Sequence, residues 1–221
     1  MEAPMLTSTR ARIASLAALA AAGVFVVALA ASQSPATRAA PAQEGLEVAT
    51  FASGCFWSTE YDFDKVDGVR ETTSGFMGGK TKAPTYEQVS AGGTGHAEAV
   101  QLKYDPKVVT YQQLLDYYWR HIDLVDGGGQ FCDRGSQYRP VVFVATPEQR
   151  KSAEASKADL GKSGRFAQPI AVEIADAGEF TPAEASHQNF HNTNAQYYKR
   201  YRVGCGRDAR LKQLWGSEAS H

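Results

Sequence analysis

Apolar and polar positions along the chain alternate with a period of two in some stretches and near 3.6 in others, and those stretches define the expected elements. Val48 to Ser53 reads as a first strand, ended by Gly54. Cys55 to about Asp64 mixes aromatic and acidic residues in a way that suits a helix. Val69 to Gly75 is Thr-rich and strand-like, and Gly78-Gly79 breaks it. Pro84 to Val89 suits a short helix with proline in its first turn. His96 to Tyr104 alternates, which puts Glu98, Val100, Leu102 and Tyr104 on one face of a strand and Gln101 and Lys103 on the other. Thr110 opens a helix: Gln113 completes a capping box, and Tyr111, Leu114, Leu115, Tyr118 and Ile122 form one apolar stripe. Val141 to Ala145 reads as a buried strand, Pro147 to Leu160 as a mostly polar helix, and Ile170 to Ile174 as a further strand. That order predicts a single mixed α/β or α+β domain over residues 46–216, followed by a short polar tail over 217–221.

Ahead of the domain the pattern changes. Arg10 and Arg12 precede an uninterrupted small and apolar run from Ile13 to Ala30. A basic start, an apolar stretch and then small residues are the layout of a secretory signal, and Ala28-Leu29-Ala30 predicts cleavage after Ala30. The same run is barely long enough to span a hydrocarbon core of about 30 Å, so segment 1–30 reads either as a signal peptide or as an uncleaved anchor. In both readings the rest of the chain is exported, with a periplasmic location expected and membrane contact only through that segment. Residues 31–45 hold Pro35 and Pro41 and no large apolar side chain, the composition of a flexible linker.

Composition narrows the chemistry. The 221 residues are 43% hydrophobic and 21% charged, as in ordinary globular proteins. Basic and acidic residues number 23 and 24, a net charge of −1, which removes the electrostatic case for binding nucleic acid. Three cysteines are too few for a disulfide-built scaffold, and no Cys-x-x-Cys pair supports zinc. Three local patterns fall away on inspection. Gly78-Gly79-Lys80-Thr81 lacks the first glycine of a phosphate loop, where Ser74 stands. His187 and His191 have the spacing of a helical zinc pair, but Gln188 replaces the glutamate that follows the first histidine. His96 and Glu98 echo zinc deaminases without the accompanying cysteines. No metal is expected.

Cys55 stands at a strand-Gly-Cys-helix junction, where helix amides and the helix dipole favour a thiolate nucleophile. Phe56 and Trp57 beside it offer a hydrophobic wall for an uncharged, sulfur-containing or methyl-bearing group. Glu98 ends an otherwise apolar row, so partial desolvation should raise its pKa and let it carry a proton near neutrality, the complement of a thiolate. Asp133, in Asp133-Arg134-Gly135-Ser136-Gln137-Tyr138, precedes a buried strand, and Tyr86 and Tyr138 can each donate a hydrogen bond to a polarised oxygen.

These segments together resemble peptide methionine sulfoxide reductase A. Gly54-Cys55-Phe56-Trp57, Thr94-Gly95-His96-Ala97-Glu98-Ala99-Val100 and Asp133-Arg134-Gly135-Ser136-Gln137-Tyr138-Arg139 occur in that family's order, and the likeness extends to Gly204-Cys205-Gly206-Arg207-Asp208 and Leu214-Trp215-Gly216. The resemblance implies an α+β two-layer, mixed-sheet fold with a ferredoxin-like core. It also implies thiol-dependent reduction of the S epimer of methionine sulfoxide, free or in oxidised proteins, with no cofactor beyond an external thioredoxin-like reductant. Carried over by position, Cys55 matches the nucleophile, Phe56 and Trp57 the methyl pocket, Glu98 the acid, Tyr86 and Tyr138 the oxygen-holding tyrosines, and Asp133 their support. The family commonly keeps one or two recycling cysteines near its C-terminus, which favours Cys205, flanked by glycines in a tail able to swing, as the thiol that resolves oxidised Cys55. Cys132 is the second candidate, either resolving directly or relaying the disulfide outward. Ser58 departs from the family's usual glycine. Two other classes stay open: a cysteine hydrolase or acyltransferase using Cys55 with His96 or His187 as base, and a non-catalytic sulfoxide- or peptide-binding domain.

Overall fold

The computed structural model describes residues 45–219. The expected signal or anchor over 1–30, the expected linker over 31–45 save its last residue, and the final two residues of the chain lie outside the described residues. The elements run β1 (Glu47–Ala52), α1 (Phe56–Phe63), β2 (Val69–Met77), α2 (Tyr86–Ser90), β3 (Ala97–Tyr104) and α3 (Tyr111–Arg120). A short hairpin follows, β4 (Gly129–Gln130) and β5 (Asp133–Arg134), then β6 (Val141–Val144), α4 (Pro147–Lys162), β7 (Glu173–Asp176) and β8 (Thr181–Pro182). Three α-helices follow, α5 (Phe190–Thr193), α6 (Ala195–Gly204) and α7 (Arg207–Trp215), and a single 3-10 turn over Gly216–Glu218 ends the described residues' elements.

The main sheet has six strands in the order β7-β6-β1-β3-β2-β8, antiparallel throughout except for the parallel pair β6 and β7. Its centre, β6-β1-β3-β2 with α1 and α3 as the connecting helices, is the βαββαβ arrangement of a ferredoxin-like core. The domain is therefore α+β with a mixed sheet. Strand alternation turns Ala49, Phe51, Val100, Leu102 and Tyr104 toward the helices, where they pack with Phe63, Leu114, Leu115 and Tyr118. The Phe51 ring lies 5.1 Å from that of Phe63 and 5.0 Å from that of Tyr118; burying such a ring contributes about 1.5–3 kcal/mol. On the opposite face the smaller Ala52, Ala97 and Ala99 join Met77, Val141 and Phe143 beneath Phe180.

Local signals explain the boundaries. Thr110 Oγ1 accepts the Gln113 N–H at 3.2 Å, and the Gln113 side-chain Oε1 accepts the Thr110 N–H at 2.8 Å, the capping box read from the sequence. The same device at Thr85 and Gln88 starts α2, so Pro84 lies before that helix and not in its first turn. The strand expected over Ile170 to Ile174 begins later, at Glu173 opposite Val141. Ala171 instead donates its N–H to the Leu124 carbonyl at 2.7 Å, and Val172 is buried as core. The apolar character of that stretch serves packing before the ladder begins.

Glu60 of α1 is fully buried, and its Oε2 accepts the backbone N–H of Asn189 at 2.9 Å. Burial raises its pKa to about 7, with the Asp64 charge adding to the rise and the Asn189 N–H opposing it. The folded chain thus holds a proton that the unfolded chain has released, so this contribution to stability is full below about pH 4.5 and is lost as pH rises through about 7. Glu60→Gln keeps the acceptor and removes the titration. It is expected to exceed the parent in stability above pH 7 by on the order of 3 kcal/mol and to match it near pH 4.5, as measured by unfolding at the two pH values.

Candidate active site

Cys55 is the residue before the first turn of α1, at the end of β1, and is 7% exposed. Gly54 makes the turn possible. It has φ +87, and a Cβ there would lie 2.6 Å from the Cβ of Gln130. Gln130 is fixed by its own amide, which accepts the Asp123 N–H at 2.8 Å and donates to the Asp123 and Gly129 carbonyls at 2.8 and 2.9 Å. The backbone before the sulfur is therefore pressed against a rigid loop.

Glu98 ends the apolar row of β3 and is 1% exposed. Its Oε2 accepts the N–H of Phe56 at 3.0 Å, so the carboxyl reaches the peptide next to Cys55. Burial raises its pKa to about 8, with the charge of Asp133 adding and the Phe56 N–H opposing, so it carries a proton at neutral pH. Cys55 does not behave as its helix position predicts. Burial first, then the charges of Glu98 and Asp133, push its thiol well above the usual range; the Tyr201 hydroxyl and the Trp57 N–H pull the other way without prevailing. Desolvation of a buried sulfur beside two carboxyl groups outweighs one helix terminus. The resting pair is a thiol and a carboxylic acid.

Aromatic rings wall the site. Phe56 is fully buried, with ring centroids of Phe76, Tyr86 and His187 at 5.8, 6.1 and 5.5 Å. Trp57 is half-buried and stacks on Phe190 at 3.8 Å, with Tyr201 edge-on at 5.8 Å. The indole N–H of Trp57 donates to His187 Nδ1 at 3.2 Å, and the His187 ring stacks on Tyr86 at 4.1 Å. Burial lowers the His187 pKa, so the ring is a neutral wall held by an acceptor nitrogen. Phe190 and Tyr201 are absent from the sequence reading. The signal for them in the chain is the aromatic density of Phe190, Tyr197, Tyr198 and Tyr201, carried on α5 and α6.

Tyr86, Tyr138 and Asp133 converge on the same place. Burial, then the charges of Glu98 and Cys55, raise Tyr86 to about 12, and burial with Glu98, Tyr86, Cys55 and Asp133 raises Tyr138 further. Both phenols remain hydrogen-bond donors. Asp133, at the start of β5, accepts the Tyr201 hydroxyl on Oδ2; burial raises its pKa, which that bond and the Arg207 charge oppose. Ser58 is buried, 3.5 Å from the Tyr198 hydroxyl.

The other two cysteines are joined to each other. Cys132 and Cys205 form a disulfide with Cα atoms 4.8 Å apart, and Cys55 is free. Cys132 is exposed at the tip of the β4–β5 hairpin. Cys205 sits in no swinging tail: it closes α6, and Gly206 at φ +69 turns the chain directly into α7. Among the described residues, the group with metal-ligand spacing is Cys132, Asp133 and Cys205, and the disulfide occupies its two sulfurs. The histidines offered as bases or ligands have other duties. His96 accepts the Gly79 N–H at 3.2 Å on Nδ1 and meets the Thr81 carbonyl at 2.8 Å through Nε2, and a Cβ at Gly79 would strike its ring at 2.2 Å. His191 Nε2 lies 3.2 Å from Asp64 Oδ2.

The family model described as peptide methionine sulfoxide reductase matches residues 47–219, the whole of this sheet and site. The chain belongs to that family. A relative in Bacillus licheniformis, named peptide methionine sulfoxide reductase MsrA, is 50% identical over 173 residues, covering 78% of this chain and 96% of its own. One of the same name in Bacillus pumilus is 48% identical over 176 residues, covering 80% and 99%. Among solved structures, Mxr1 of Saccharomyces cerevisiae in reduced form superposes with a TM-score of 0.65 at 29% identity, covering 69% of this chain and 87% of its own. Methionine sulfoxide reductase A of Corynebacterium diphtheriae gives 0.60 at 33% identity, covering 70% and 77%. The protein is a peptide methionine sulfoxide reductase, an oxidoreductase acting on methionine sulfoxide.

Proposed function

We propose that this reductase acts on the S epimer of methionine sulfoxide, free or in oxidised proteins, with Cys55 as nucleophile and Glu98 as proton donor. The observation that carries the reading is the buried pair itself: a free thiol and a protonated carboxyl linked through the Phe56 amide, in a site lined by Phe56, Trp57 and Tyr86. The aromatic wall receives the methyl group. Tyr86 and Tyr138 hold the sulfoxide oxygen, and Asp133 steadies Tyr201 beside the sulfur. Cys55 sulfur attacks the sulfoxide sulfur, Glu98 protonates the oxygen, and the thiol proton returns to Glu98. The protonated oxygen passes as hydroxyl from the substrate sulfur to the Cys55 sulfur, while the transient bond between the two sulfurs breaks with its electron pair going to the substrate. Methionine thus leaves reduced by two electrons, and Cys55 becomes a sulfenic acid.

Cys205 then displaces water from that sulfenic acid to form Cys55–Cys205, and Cys132 attacks Cys205 to free Cys55. The pairing of Cys132 with Cys205 supports this order, and the exposure of Cys132 supports its being the sulfur that a thioredoxin-like dithiol attacks. The apolar N-terminal run supports export, with oxidised exported proteins as substrates. Both histidine assignments above weigh against a cysteine hydrolase.

The fully reduced protein, given excess sulfoxide and no reductant, is expected to release two methionines per chain. Cys205→Ser stops at one with Cys55 as sulfenic acid, and Cys132→Ser stops at one with a Cys55–Cys205 bond. Disulfide mapping and methionine counts check this; a Cys55–Cys132 bond with Cys205 free overturns the order. Equal turnover of both sulfoxide epimers overturns the assignment of the substrate.

A further inference from the structure

The geometry points to Arg207 as the positioning residue that holds the three cysteine-bearing segments in register for thiol exchange, an inference that rests on the cysteine relay proposed above. Arg207 is 2% exposed and sits two residues beyond Cys205, at the first position of α7. Its Nη2 donates to the carbonyl of Ser53 at 2.9 Å, on the strand end that leads into Gly54 and Cys55. Its Nη1 donates to the carbonyl of His121 at 3.0 Å. The guanidinium lies 4.3 Å from the ring centroid of Phe131, the residue before Cys132. One side chain therefore touches the backbone before Cys55, carries the chain from Cys205, and covers the neighbour of Cys132.

The Phe131 contact bears on the hairpin itself. β4 and β5 pair Gln130 with Asp133, so Phe131 and Cys132 form a two-residue loop. Phe131 takes φ +54, a left-handed conformation unusual for a bulky residue, and the guanidinium over its ring braces the loop from which the exposed Cys132 reaches Cys205. The charge is balanced on the helix that begins after Cys55: Asp62 of α1, itself 2% exposed, lies 3.9 Å from Arg207 and 2.9 Å from Arg202. A lysine reproduces the charge but neither the two-pronged donation nor the flat face. On the other side of Cys205, Tyr201 binds Asp133 one turn earlier in α6. Cys205 is thus bracketed by two side chains that reach toward the other two cysteines, and only Arg207 lies outside the groups facing the sulfoxide.

The test separates the first methionine released by the reduced protein without reductant, which reports Cys55 chemistry, from the second, which requires passage of the disulfide to Cys132 and Cys205. In Arg207→Lys the first is expected within about 3-fold of the parent and the second slowed about 10-fold to 100-fold, with Cys55 sulfenic acid trapped by dimedone between them. Phe131→Leu, which keeps an apolar residue in the loop and removes the ring face, is expected to slow the second phase in the same direction. Both phases slowed equally, or neither slowed in a folded variant, overturns the proposal and leaves Arg207 a structural residue. A parent protein that releases only one methionine defeats the relay, and the positioning role with it.

Discussion

In Cys55→Ser, methionine formation falls to background, a loss beyond about 10⁴-fold, because a hydroxyl oxygen cannot accept the two-electron oxidation that turns a thiol into a sulfenic acid. The variant is well suited to the question. Cys55 precedes the first turn of α1 and its side chain caps no helix amide, whereas serine is among the preferred residues there. The fold should be at least as stable, and the disulfide between Cys132 and Cys205 should still form. Unchanged unfolding with no methionine released assigns the loss to chemistry. Retained turnover in the serine variant removes Cys55 from the reaction.

Glu98→Gln is expected to lower kcat/KM by about 10²–10⁴-fold, the usual worth of a positioned proton donor. Glutamine still accepts the Phe56 N–H, so the peptide beside Cys55 keeps its place. KM should change little, since the acid acts on an oxygen that becomes basic only as the S–O bond breaks. The pH profile gives the sharper readout. The active form of Glu98 is protonated, so parent activity falls as pH rises through about 8, and that alkaline limb should vanish in the variant. A fall below about 10-fold with the limb retained assigns proton donation elsewhere.

Much of this arrangement was legible in the chain, for reasons that differ by residue. Thr110 with Gln113 and the alternation from Glu98 to Tyr104 are local patterns, and local patterns fix caps and faces: Glu98 lies buried at the end of its row as the period of two requires. The state of Cys55 was not legible. The helix start is local, but the carboxyls of Glu98 and Asp133 and the burial that raise its pKa arrive from distant segments. The same holds for Phe190, which stacks on Trp57 across a long separation from a helix too short to show a period. Cys205 read as part of a mobile tail because flanking glycines suggest freedom, yet Gly206 supplies a single left-handed turn between two helices. Pairing of Cys132 with Cys205 depends on the hairpin and α6 meeting, which no spacing encodes.

The protonated, 7% exposed thiol has a consequence for selectivity. Peroxide and alkylating agents attack accessible thiolates, and this sulfur presents them with neither the charge nor the access. In the chemistry proposed above, a substrate that fills the cleft and draws a proton from Glu98 supplies its own activation, which would keep the Cys55 sulfur for methionine sulfoxide rather than for free oxidants.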